Sequence, residues 1–94
     1  QNMFGRYFEK ILKERTINLL KSEIIDYKKQ MIEYESRKNE LEFERHRNKY
    51  FNNERLKKIE EDNINFLYER YLEFYYKKRA VEKILCDYLS LFKK

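Results

Sequence analysis

Apolar residues recur along the chain at alternating steps of three and four, the spacing that lines them up on one stripe of a long helix. The first run is Ile17, Leu20, Ile24, Tyr27, Met31 and Tyr34, then Lys38 as a basic interruption, then Leu41. The second is Leu67, Tyr71 and Phe74, then Lys78, then Val81, Leu85, Tyr88 and Phe92. Two long helices are therefore expected, over residues 16–51 and 54–93. Carboxylates four residues before a basic side chain, as in Glu9–Lys13, Glu33–Arg37, Glu54–Lys58 and Glu73–Lys77, suit exposed helix faces.

The join falls between the two runs. Asn52-Asn53 is the only adjacent Asn pair; Asn tolerates the left-handed conformation at a helix end and is a good N-cap. Glu54 then lies in the first turn of the next helix, where its charge suits the helix dipole. Folding back between Asn52 and Asn53 gives antiparallel partners whose numbers sum to 105. Leu41 meets Ile64, Tyr34 meets Tyr71, Met31 meets Phe74, Ile24 meets Val81, Leu20 meets Leu85 and Ile17 meets Tyr88. Arg45 comes opposite Glu60, while Lys38 and Lys78 fall opposite Leu67 and Tyr27, packing their stems and keeping their heads wet. Other foldings share much of this pattern: a register one heptad away, a break at Asp62-Asn63-Ile64-Asn65, or one unbroken helix in an intermolecular coiled coil.

More apolar surface is present than one seam can use. Phe4, Tyr7, Phe8, Ile11 and Leu12 form a stripe with no opposite residues before about Ile11. This 1–15 arm is expected to fold back as a short amphipathic helix through Arg15-Thr16, or to insert into a partner. Leu67, Tyr68, Tyr71, Leu72, Phe74, Tyr75 and Tyr76 cover a wide arc of the second helix. An exposed aromatic patch of that size is adhesive, and Tyr, of which there are nine, suits interfaces by burying a ring while its hydroxyl finds a polar partner. These two groups are the candidate partner interface.

Composition narrows the class further. The 94 residues include one Gly, no Pro, one Cys and one His, with 41% charged side chains. So few turn formers argue against a multi-strand fold and against glycine-rich phosphate loops. One Cys excludes an internal disulfide framework. Runs of apolar residues are too short for a membrane-spanning helix or a secretory signal. The chain opens at Gln1, as a processed chain or a fragment would. Phe, Ile, Lys, Asn and Tyr make up 46 residues, which points to AT-rich coding DNA in a nuclear or organellar genome, such as that of a protist or a mitochondrion; an intracellular location, mitochondrial or cytoplasmic, is the expectation.

Little catalytic chemistry is offered. His46 lies between Arg45 and Arg47 in a charged stretch, and Cys86 is expected as a small buried hydrophobe on the seam side. Carboxylate pairs such as Glu40–Glu44 and Glu69–Glu73 lack the Glu-x-x-His motif of helical di-metal sites. No cofactor or metal is implied. The net charge of +5 is spread thinly, with Arg45, Arg47, Lys49, Lys57 and Lys58 near the hairpin tip as possible polyanion contacts diluted by neighbouring Glu. The expected object is all-α: a long antiparallel helical hairpin with an aromatic N-terminal arm, acting as a non-catalytic component of a larger protein assembly, with helical partner chains in a hetero-assembly or a homo-oligomer. The alternatives are an RNA-associated accessory protein using the basic tip and, through residues 3–12, a lipid-surface helix.

Overall fold

The computed structural model describes residues 3–47 and 53–93, and among them the chain is helical throughout apart from short ends. Helix α1 spans Met3–Arg47 and helix α2 spans Glu54–Ser90. They pack side by side and antiparallel into a rod of 75 × 17 × 16 Å. Forty-five residues at about 1.5 Å rise make α1 roughly 68 Å long, so this one helix sets the length of the rod. The unbroken rod and the break at 62–65 are excluded, since α2 runs through Asp62–Asn65 and Ile64 is buried.

Helix α2 starts where its sequence supplies a cap. Asn53 is extended (φ −91°, ψ 106°), and its Oδ1 accepts hydrogen bonds from the backbone N–H of Arg55 at 3.0 Å and of Leu56 at 3.4 Å. Two N–H groups that the helix itself cannot satisfy are thereby paired, a contribution of about 1 kcal/mol. Glu54 sits in the first turn as expected, although Lys57 rather than Lys58 is its ion-pair partner, at 3.8 Å. The far end tightens into three-residue hydrogen bonds from Leu91 to Tyr88 and from Phe92 to Leu89. Asn52 and Lys49 lie outside the described residues.

The seam is the one anticipated. Every member of both runs is half-buried or buried except Phe92, and the deepest are Ile24 at 9% exposure, Ile64 at 8% and Val81 at 7%. Register shows in the cross-helix contacts. The ring of Phe74 sits between two rings two turns apart on α1, Tyr27 at 6.1 Å and Tyr34 at 5.8 Å, so it lies opposite the level of Met31. Lys13 stands 4.0 Å above the Phe92 ring, and Lys38 5.5 Å above Tyr68. Their numbers sum to 105 and 106, and the heptad-shifted alternatives are ruled out. Arg45 reaches Glu61 at 2.6 Å instead of Glu60, because Glu61 is on the flank that faces the end of α1 and Glu60 is half-covered at the seam.

The two basic seam residues behave as amphipathic stems. Lys38 turns its head to Glu42 (3.4 Å) and Lys78 to Glu82 (3.3 Å), each one turn along its own helix. Lys13, in contrast, uses its charge on the Phe92 ring across the interface rather than on Glu9.

The N-terminal arm is not a separate helix. Residues 3–15 are the first turns of α1, which passes through Arg15-Thr16 without a break. Thr16 Oγ1 donates to the carbonyl of Leu12 at 2.8 Å, a bond compatible with continuous helix, and no Gly or Pro interrupts the segment after Gly5. Because α2 ends at Ser90, the first ten or so residues of α1 overhang it.

Candidate functional site: the outer faces of the hairpin

With two helices only one stripe of each is covered, and the remaining apolar residues face outward. Among the described residues, seventeen large apolar side chains are more than a third exposed, against three that are buried. Phe4 (84%), Tyr7, Phe8 and Leu12 project from the overhang, while Ile11 is half-buried. The arc on α2 divides. Leu67, Tyr71 and Phe74 turn into the seam, Leu72 and Tyr75 are half-buried on its flank, and Tyr68 and Tyr76 are exposed. The surface open to a partner on α2 is thus narrower than the sequence arc, because the seam already uses its central members.

Sequence reading also passed over exposed residues on α1. Leu19, Ile25, Ile32 and Phe43 all point away from the seam. Their signal was available: Ile25 and Ile32 are seven apart, and each is one residue past a seam position, which rotates it about 100° around the helix. Glu35, Lys38, Tyr68 and Tyr71 line one shallow groove, so the flank of α1 bearing Glu35 and the flank of α2 bearing Tyr68 form one continuous face. A longer furrow follows α1 alone past Ile32, Asn39 and Phe43, open to solvent along its length.

The opposite flank holds a polar clamp on the aromatic ladder. The guanidinium of Arg70 lies 5.5 Å from the Tyr34 ring and 5.4 Å from Phe74, and Lys77 lies 5.2 Å from Phe74. Glu73 bridges both cations, to Arg70 at 2.7 Å and to Lys77 at 3.1 Å. The hydrogen bond from Lys77, with help from Arg70, holds the Glu73 carboxyl below its ordinary range despite partial desolvation. Tyr34 and then Glu73 raise Arg70 further above its ordinary value. Tyr27 donates its hydroxyl proton to Glu23 at 3.0 Å, and that bond raises its pKa. These shifts favour the charge states present at neutral pH.

Cys86 is exposed rather than buried. One step past Leu85 carries it about 100° off the seam. His46 is exposed near the tip, at the other end of the rod from Cys86, and no group of three metal-ligating side chains converges among the described residues.

Charge is distributed by the fold in a way the linear chain conceals. The open half of the rod, residues 3–29 and 76–93, carries twelve bases and six acids, a net of +6. The tip half, residues 30–47 and 53–75, carries eight bases and eleven acids, a net of −3. Arg45, Arg47, Lys57 and Lys58 are therefore basic side chains in an acidic half, and Arg45 is held by Glu61.

Comparison with protein-family models, with curated proteins and with solved structures finds no match to this chain. No helix among the described residues is long and apolar enough to cross a membrane.

Proposed function

We propose that the protein is a non-catalytic structural component, a helical hairpin that docks through its outer apolar faces onto helices of other protein chains. The observation that carries this reading is the imbalance between seventeen exposed large apolar side chains and three buried ones. A free-standing rod with that surface would be adhesive, whereas withdrawing such a side chain fully from water contributes up to about 1.5–3 kcal/mol, in proportion to the area still exposed. The overhanging Phe4 and Phe8, together with Tyr68 and Tyr76 on α2, supply aromatic anchors, which are enriched where interfaces concentrate their energy. Charged side chains between them set register and exclude wrong partners.

A polyanion at the hairpin tip is the less favoured reading, because acids outnumber bases in that half. It calls for RNA binding that falls steeply with salt and needs Arg45, Arg47, Lys57 and Lys58.

The test is photo-cross-linking in the native cell. A photoreactive phenylalanine replaces Phe8, Phe66 or Tyr76, all exposed and away from the seam. Discrete cross-linked protein species from at least one position support the reading. No cross-link at any position, with the chain recovered as a monomer, removes it.

A further inference from the structure

The continuous face formed by the Glu35 flank of α1 and the Tyr68 flank of α2 has a centre, a stripe and a charge pattern. Its stripe on α1 runs through Ile25 (52% exposed) and Ile32 (68%), and its α2 edge carries Tyr68 and Tyr75. Beside the stripe, at seven-residue intervals on one column of α1, stand Lys21, Lys28, Glu35 and Glu42. The column reads plus, plus, minus, minus, and its midpoint falls between residues 31 and 32, close to the middle of the rod.

We propose that the occupant of this face is a second copy of the chain, laid antiparallel against the first with a two-fold axis close to Ile32. The inference rests on the docking role proposed above and names the partner. A two-fold axis there carries Lys28 onto Glu35 of the second copy and Lys21 onto Glu42, each pair occurring twice, as an isologous interface requires. Ile32 meets its own counterpart at the axis. Two copies side by side with the same ends together would instead set Lys against Lys and Glu against Glu along the whole column, which is repulsive.

Three further observations agree. Lys21, Lys28 and Glu35 make no ion pair within the chain among the described residues, and so keep their charges available; Glu42 shares its carboxylate with Lys38 at 3.4 Å. The long-range polarity acts in the same direction, bringing the +6 half of each copy onto the −3 half of the other. Area suffices as well: with the axis near Ile32 the two copies overlap along about 50 Å of the rod, and a face 16 Å wide then offers about 800 Å², in line with the roughly 800 Å² per partner of a standard stable interface. The product is an antiparallel four-helix bundle, in which Ile25 and Ile32 of each copy are covered by the other.

Sedimentation equilibrium of the purified chain gives the mass, and charge exchange gives the geometry. The chain is expected to be dimeric at micromolar concentration. Lys28→Glu and Glu35→Lys, both exposed and outside the seam, are each expected to weaken dimerisation about tenfold. The double variant restores it, since the two residues are seven apart and cannot rescue one another within a helix. Unchanged helicity by circular dichroism separates this effect from unfolding. A spin label at Ser90→Cys in a Cys86→Ser background reports orientation: about 50 Å between labels for the antiparallel dimer, against less than about 25 Å if like ends meet. A monomer at all concentrations, a short label distance, or a double variant no better than the singles overturns the proposal. If the monomer still yields discrete cross-links from Phe8, Phe66 or Tyr76, self-association is overturned while docking onto other chains stands; if cross-links are also missing, both fall.

Discussion

Ile24 and Ile25 are neighbours of identical chemistry, yet one is 9% exposed and the other 52%. The first belongs to the stripe that meets α2, the second to a stripe about 100° around α1 that meets nothing within the chain. Ile24 faces the seam where Val81 is its opposite number, whereas Ile25 and Ile32 share their face with Lys21, Lys28 and Glu35, which form no ion pair among the described residues. The difference shows that apolar content does not report core size in a two-helix protein. Each helix can offer one stripe to the other, and any second stripe is surface until another chain arrives.

The comparison can be broken most severely at its buried member. Ile24→Ala is expected to cost about 2–4 kcal/mol of stability in urea unfolding, at every protein concentration. Ile25→Ala should cost under about 0.5 kcal/mol in dilute solution and more as concentration rises, because in the proposed dimer its partner is another molecule. Equal effects that ignore concentration would place both residues in one internal core. Next in size is the cap, which serves the hairpin alone. Asn53→Ala should lower stability by about 1 kcal/mol, while Asn53→Asp should keep most of it. Smaller still is the cross-helix ion pair near the tip. Arg45→Ala should cost at most about 1 kcal/mol, with the deficit shrinking in high salt, since both partners are half exposed.

The smallest effect concerns pH. Glu73 has a folded-state pKa below its ordinary value, through the Lys77 hydrogen bond first and the Arg70 charge in support. Its carboxylate therefore adds stability above the unfolded-state pKa, and that contribution disappears as pH falls through the folded-state value. Acidification from neutral pH into the carboxylate range should lower the urea midpoint slightly, and Glu73→Gln should remove that part of the drop. A midpoint that rises on acidification in the parent chain, but not in Glu73→Gln, would reverse the sign.

Much of the fold was legible because helical period is a one-dimensional signal. The seam residues from Ile17 to Leu41 and from Leu67 to Tyr88 follow from their three-and-four spacing alone, and Asn53 announces the start of α2 through its capping chemistry. The continuity of α1 through Arg15-Thr16 was less visible. Apolar residues that change face look the same whether a helix ends or merely presents a second stripe. Cys86 misled because proximity to Leu85 in sequence says little about direction on a helix. The polarity of charge could not be seen in consecutive segments, since the fold superimposes distant ones: Lys77, Lys78 and Arg79 join Lys28 and Lys29 at one level of the rod.

The ring of Phe74, wedged between Tyr27 and Tyr34, acts as a notch that indexes one arm against the other. Alignment of the arms is thereby set more than thirty ångströms from the bend, at about 1.5 Å per residue. Lengthening or replacing the connector between α1 and α2 should then leave the arms in step, which makes that bend the natural place to splice in a tag or a second module.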